Sequence, residues 1–195
     1  MIGVFYVHGF ASGINYKKLD SLSAIINNKQ CTVIGLHYNS EWSFDKIKTN
    51  LINQVSQYAD ELDDLVFVGT SLGGLFAREL ANKFNSPMIV INPVVDPVKQ
   101  LSQFVGIVVN YSTGQMFTFS NQVLDSYKQY KLERKGPCLT YVSDTDQVLI
   151  NNKDNIVDSA FFGKIIHTTT THQVKFEDLP NFHNEFKMLV NTIAG

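Results

Sequence analysis

The chain has 195 residues, 44% of them hydrophobic, and a formal net charge of −2. This length supports one domain with a substantial core, so we expect a single domain over residues 1–195. The balanced charge offers no basic surface for nucleic acid, and no apolar run approaches the roughly 18 to 20 residues that span a bilayer. With no leader ahead of the first apolar segment, we expect a soluble, cytoplasmic protein that contacts neither nucleic acid nor membrane. Its oligomeric state stays open.

Short apolar runs alternate with segments of helical periodicity. This alternation is typical of a mostly parallel sheet covered by helices on both faces. Six strands are predicted: Ile2–Val7, Thr32–Leu36, Leu65–Val68, Met88–Ile91, Cys138–Val142 and Lys164–His167. The two cysteines, Cys31 and Cys138, have no CxxC spacing, so we expect core side chains rather than a metal site or a disulfide. No metal or cofactor is predicted.

Residues from about 97 to 134 interrupt this alternation. The segment is long and predicts a cap-like insertion, which in other proteins often covers a site and shapes its pocket. Its aromatic side chains predict either an apolar pocket or simple packing of the insertion against the body, and both interpretations stay open. These residues are Phe104, Tyr111, Phe117, Phe119, Tyr127 and Tyr130.

A Gly-x-Ser-x-Gly pentapeptide follows the third predicted strand. It runs from Gly69 through Ser71 to Gly73 and precedes an amphipathic segment. A serine on such a sharp strand-to-helix turn is exposed as a nucleophile, and glycines are needed where flanking side chains would collide. The helix that follows directs its N-terminal amides at the reacting atom, so the backbone NH of Leu72 is a predicted oxyanion donor.

His8-Gly9-Phe10 ends the first predicted strand. In α/β-hydrolases a turn of this kind supplies the second oxyanion donor, which here is the backbone NH of Phe10. A Gly-Ser turn alone occurs in many proteins without catalytic activity. The presence of both motifs in the right order favours a hydrolase.

A serine nucleophile needs a histidine base downstream in this fold, because the chain order is Ser, acid, His. His172 follows the last predicted strand and can reach over the sheet, so it is the predicted base. His167 lies within that strand and is expected to be a core or strand-end residue. His183 is expected on the exposed face of the terminal helix.

The acid that orients the base is predicted on the loop after the strand Cys138–Val142. Asp146 is the first choice, because it is far enough past the strand to turn back toward His172. Asp144 remains the alternative, and one of the two is expected to cap the turn. Asp96 follows an earlier strand, but its neighbouring prolines favour a turn role.

Several motifs together resemble the YqiA/YcfP family of small bacterial α/β-hydrolase esterases, over nearly the whole chain. They are Val7-His8-Gly9-Phe10, Gly69-Thr70-Ser71-Leu72-Gly73-Gly74, Asn92-Pro93, Thr113-Gly114-Gln115, Asp146-Gln147-Val148-Leu149 and His172 followed by Phe176-Glu177-Asp178. The resemblance implies a minimal α/β-hydrolase without the first strands of the larger fold. It also implies carboxylesterase activity on small acyl esters, with Ser71 as nucleophile, Asp146 as acid and His172 as base.

Two other functions fit the same residues. A thioesterase uses the same triad and differs in its leaving group and pocket. A binding module of another class would keep the fold and use the capped cleft to hold an acyl ligand or a protein. The complete set of serine, acid and histidine in order favours an enzyme acting on an ester or thioester.

Overall fold

A computed structural model describes residues 1–133, 135–149, 156 and 162–192. Its main sheet has six parallel strands in the order β2–β1–β3–β4–β7–β8. The strands are β1 Ile2–Val7, β2 Cys31–Leu36, β3 Asp64–Thr70, β4 Met88–Ile91, β7 Cys138–Ser143 and β8 Lys164–Thr168. All six predicted strands are confirmed, and the fold is that of a minimal α/β-hydrolase.

Helices cover both faces of this sheet because its strands are apolar on both sides. Phe5 and Val7 of β1 pack into one core, whereas Val4 and Tyr6 pack into the other. The first core lies under helices α2 and α3, and the second under α1 and α6. These helices are α1 Tyr16–Ile26, α2 Phe44–Ala59, α3 Leu72–Phe84 and α6 Phe182–Asn191. The alternation follows from the two-residue period of a strand.

The predicted insertion lies between β4 and β7. It contains α4 Pro97–Leu101, an antiparallel hairpin of β5 Gly106–Val109 and β6 Met116–Phe119, and α5 Asn121–Ser126. The turn of this hairpin contains Thr113-Gly114-Gln115, with Gly114 at a φ of 73°. Position 134, where we expected the insertion to end, lies outside the described residues.

The aromatic side chains of the insertion divide between the two predicted roles. Phe119 and Tyr127 are fully buried in the core under α2 and α3. Phe104 and Tyr111 instead line the pocket described below. Both interpretations therefore hold, each for different residues.

The cysteines occupy the first positions of β2 and β7, where Cys31 is half-buried and Cys138 is buried. These strands are not neighbours in the sheet. In the part of the chain that the structure describes, no helix is long and apolar enough to cross a bilayer.

Candidate active site

Ser71 occupies the turn between β3 and α3 with φ 55° and ψ −123°, a conformation that a residue with a side chain rarely adopts. Close backbone contacts hold the turn. A Cβ atom at Gly69 would lie 2.2 Å from the Gly73 carbonyl oxygen, and one at Gly73 would lie 2.2 Å from the Val7 carbonyl oxygen. Both glycines are therefore needed for β1, β3 and α3 to meet at Ser71.

Backbone hydrogen bonds anchor this turn to the end of β4. The Ser71 amide donates to the Ile91 carbonyl at 2.9 Å, and the Val94 amide donates to the Ser71 carbonyl at 3.1 Å. Because α3 begins at Leu72, the Leu72 amide has no acceptor within the helix. The turn thus presents a fixed serine beside an amide that a ligand oxygen can use.

The turn after β1 lies directly against Ser71. A Cβ atom at Gly9 would be 3.4 Å from the Ser71 Cβ and 3.9 Å from its Oγ. Phe10, the next residue, lines the same pocket as Ser71, and its ring packs 5.1 Å from the ring of Phe104 in the insertion. The two backbone segments predicted to supply oxyanion donors therefore meet at one place.

His8 has a structural role in this turn. Its Nδ1 lies 2.9 Å from the Gly9 carbonyl oxygen, and its Nε2 accepts from the Tyr38 amide at 3.4 Å. A carbonyl can only accept, so Nδ1 carries the proton. The ring stacks on Tyr38 at 4.3 Å, and burial lowers the pKa of His8 to about 4. His8 is therefore a neutral side chain that holds the turn in shape.

His172 and Asp146 form a hydrogen-bonded pair over the carboxyl end of the sheet. The His172 Nδ1 and the Asp146 Oδ2 are 2.8 Å apart, and the side chains are 15% and 3% exposed. The other oxygen, Oδ1, accepts from the amides of Val148 at 2.8 Å and Leu149 at 3.0 Å. Burial alone would raise the pKa of Asp146, but His172 and these two amides together lower it.

Hydroxyl groups join the two loops that carry this pair. The Thr145 hydroxyl donates to the Thr170 carbonyl at 3.0 Å, and the Ser143 hydroxyl donates to the same carbonyl. The Asp144 amide donates to the Thr168 carbonyl at 2.9 Å. These contacts keep the loop after β7 against the loop after β8. The sequence did not point to the hydroxyls of Ser143 and Thr145, because they act only once the two strands are adjacent.

A second Asp–His pair lies nearby on the surface. The His167 Nδ1 and the Asp144 Oδ1 are also 2.8 Å apart, but these side chains are 58% and 41% exposed. The core alternative for His167 is therefore wrong, because its side chain leaves β8 toward solvent near the strand end. Neither residue lines the pocket that contains Ser71.

Asp96 and His183 do not line the pocket that contains Ser71. The Asp96 carboxylate accepts from the Lys99 amide at 3.2 Å and caps α4, which confirms its turn role. His183 is only half-exposed, and its Nδ1 lies 2.8 Å from the Ile25 carbonyl oxygen. The prediction of an exposed histidine is therefore wrong, because α6 packs against α1 at this point.

Ser71 and His172 line one pocket of about 390 Å³, a size typical of small-molecule sites. One group of its lining residues is apolar: Phe10, Val94, Leu101, Phe104, Val148 and Leu149. A polar group includes Tyr6, Ser12, Asn15, Lys18, Ser112 and Gln173. The sequence did not identify Lys18 or Tyr6 as pocket residues, because Lys18 lies in an ordinary helical pattern and Tyr6 in an ordinary strand pattern.

The family comparison covers nearly the whole chain. Residues 3–191 match the model of the "Uncharacterised protein family (UPF0227)". The chain belongs to this family. It is the YqiA/YcfP family, so the resemblance noted from the motifs is confirmed.

Solved structures similar to this one share its fold. Est1E from Butyrivibrio proteoclasticus has a TM-score of 0.69 at 16% identity, covering 99% of this chain and 88% of that chain. Mouse alpha/beta hydrolase domain-containing protein 10 has a TM-score of 0.70 at 14% identity, with 98% and 90% covered. The esterase domain of a Rhodothermus marinus protein has a TM-score of 0.63 at 20% identity, with 98% and 85% covered.

Proposed function

We propose that this protein is a serine hydrolase that cleaves small carboxylic esters through an acyl-enzyme intermediate. Ser71, held in a strained turn, shares a pocket with His172, and the shielded carboxylate of Asp146 holds the Nδ1 side of that histidine. The other imidazole nitrogen is then available to the serine, which is the arrangement that activates a hydroxyl.

The reaction follows from these positions. His172 Nε2 takes the proton of Ser71 as Oγ attacks the carbonyl carbon, and a tetrahedral oxyanion forms. His172 then gives that proton to the leaving alkoxide, which departs and leaves an acyl-serine. His172 then takes a proton from a water molecule, the hydroxide attacks the acyl-serine, and the proton returns to the Ser71 Oγ as the carboxylic acid leaves. Asp146 keeps the proton on Nδ1 and stabilises the imidazolium that forms in each step.

The backbone amides of Phe10 and Leu72 are the proposed oxyanion donors. Both flank Ser71, one on the turn after β1 and the other at the start of α3. The positive end of α3 adds to the stabilisation because its dipole is directed at the developing charge. Donors of this kind contribute a factor of about 10² to 10³ in turnover each.

The apolar lining of the pocket suits a small acyl group. Phe10, on the turn after β1, contacts Phe104 of the insertion. Leu101 of the insertion also lines the pocket. Several similar structures are named as esterases or lipases, which supports the same reaction class. Oxygen esters are the proposed substrates, and a panel of matched thioesters measures the preference between the two leaving groups.

Labelling with a fluorophosphonate tests the nucleophile directly. We expect a single covalent adduct on the intact mass of the wild type and none on Ser71→Ala, whose melting temperature should stay within a few degrees of the wild type. Ser12 and Ser112 offer matched controls, because their hydroxyls line the same pocket. The variants Ser12→Ala and Ser112→Ala should both keep the adduct. An unlabelled wild type, or an adduct that survives in Ser71→Ala, would contradict the proposal and favour a binding module.

A further inference from the structure

Lys18 gives the pocket an uncompensated positive charge. It lines the pocket together with Ser71, and none of the described lining residues is acidic. The ion pairs between described residues do not include Lys18. The imidazole of His8 also lines the pocket, but it is neutral because burial lowers its pKa to about 4. A substrate in this pocket therefore meets one full cation, and the nearest carboxylate described above, that of Asp146, lies behind His172 and outside the lining.

The ammonium group of Lys18 lies near two aromatic rings. Its Nζ lies 5.9 Å from the centre of the Tyr6 ring and 6.0 Å from that of Phe176. The Tyr6 hydroxyl is 3.0 Å from the Thr70 Oγ1, and Thr70 directly precedes Ser71. This chain of contacts ties Lys18 to the side of the pocket next to the reacting serine. Partial burial lowers the pKa of Lys18, which reflects incomplete hydration of the charge.

The dipole of α1 does not favour a lysine at this position. Lys17 and Lys18 lie in the first turn of α1, where the helix dipole favours acidic residues, and that turn has none. Asn15 caps the helix and lines the pocket with Lys18. Glu177 follows Phe176, but its exposed carboxylate accepts a hydrogen bond from the Ser21 hydroxyl at 2.6 Å and forms no ion pair with Lys18. The positive end of α1 and the Lys18 charge thus both act on the pocket.

We propose that Lys18 binds a negatively charged group of the substrate, so that the enzyme prefers esters whose acyl or alcohol part is anionic. This inference rests on the proposed esterase function. An ammonium group is a compact point charge, and it binds an anion strongly where water is partly excluded. The apolar group of lining residues, with Phe10 and Phe104, then receives the uncharged part of the substrate.

Matched pairs of esters test the preference, each pair differing only in a carboxylate against a carboxamide. For the acyl side the pair is 4-nitrophenyl hydrogen adipate and 4-nitrophenyl adipamate. For the alcohol side it is 4-carboxyphenyl butyrate and 4-carbamoylphenyl butyrate. The quantity measured is kcat/KM for the anionic ester divided by that for the neutral ester. The pair that responds identifies which part of the substrate lies near Lys18.

We expect the wild type to favour the anionic member of one pair, and Lys18→Met to reduce that ratio about tenfold at low ionic strength. The ratio in the wild type should fall as salt is added. Lys17→Met is the matched control, since it removes the same charge from the same turn outside the pocket, and its ratio should not change. Lys18→Arg should retain most of the preference.

Activity on the neutral esters separates this inference from the proposed function. A wild type that hydrolyses them without favouring the anionic member of either pair would overturn the role of Lys18 alone. The same holds if Lys18→Met and Lys17→Met change the ratio equally. If the folded wild type hydrolyses no ester and forms no adduct at Ser71, the proposed function fails and the role of Lys18 fails with it. Circular dichroism and the melting temperatures of Lys18→Met and Lys17→Met verify that both variants are folded.

Discussion

Two Asp–His pairs lie at the same end of the sheet, and their hydrogen bonds have the same length. His172 with Asp146 and His167 with Asp144 are both 2.8 Å apart. The first pair is shielded from solvent and borders the pocket of Ser71, whereas the second is exposed on the edge strand β8. The hydrogen bond itself therefore does not distinguish a candidate catalytic pair from a surface pair.

Their surroundings separate the two pairs. Both oxygens of Asp146 have partners, because its second oxygen accepts two backbone amides while the first holds His172. This arrangement fixes the carboxylate in one orientation and favours its charged form. Asp144 and His167 are in solvent, where water competes for the same bonds and an ion pair contributes about 0 to 1 kcal/mol. The first pair thus has a fixed carboxylate and borders the pocket of Ser71, whereas the second has neither property.

Removing each histidine gives the largest expected difference between the pairs. His172→Ala should reduce kcat for a small ester by about 10⁶, as loss of the base does in known serine hydrolases. His167→Ala should leave kcat within about twofold of the wild type, because an exposed side chain outside the pocket does not touch the substrate. Steady-state kinetics on one neutral ester measures both. Equal losses would show that the surface pair takes part in the reaction.

Replacing the two aspartates, Asp146 and Asp144, should give a smaller difference in kcat. Asp146→Asn retains the size of the side chain but accepts poorly from Nδ1–H, so His172 loses its orientation, and kcat should fall by about 10⁴. Asp144→Asn should change kcat by less than about twofold. The same assay, with circular dichroism to verify folding, measures both. A greater loss in Asp144→Asn would reassign the acid to the alternative that the sequence left open.

His8, unlike the histidines of the two pairs, gives a prediction for how the stability of the protein depends on pH. The pKa of His8 is lowered to about 4 by burial, so between pH 6.5 and 4 the unfolded chain binds a proton that the folded chain does not. The free energy of unfolding should therefore fall as the pH drops through this range, by up to about 3 kcal/mol from this group.

Urea unfolding of the wild type and of His8→Asn at pH 7, 5.5 and 4 measures the contribution of His8. The variant is expected to be less stable at every pH, because it loses the stacking on Tyr38. The informative quantity is the slope of unfolding free energy against pH, which should be shallower in His8→Asn. Parallel slopes would show that the pKa of His8 is the same in the folded and the unfolded protein, and would contradict this prediction.

Much of the fold was predictable from local patterns. The apolar runs located all six strands of the sheet to within one or two residues at each end, because a strand buried on both faces needs a continuous apolar run. The turn at Ser71 was predictable for a steric reason, since side chains at Gly69 and Gly73 would overlap backbone atoms. The histidines were less predictable: the exposure of His167 and the partial burial of His183 depend on what packs beside them.

Periodicity, glycine sterics and motif spacing are local properties, so the amino-acid sequence alone predicts the strands and helices along the chain, the serine turn and the family. Which aspartate meets which histidine depends on the folded sheet, since Ser143, Thr145 and Thr170 join two loops whose strands are adjacent only there. The tertiary structure likewise brought Lys18 beside Tyr6 and the pocket. The charge of a site depends on side chains brought together from distant parts of the chain, and no local pattern records that.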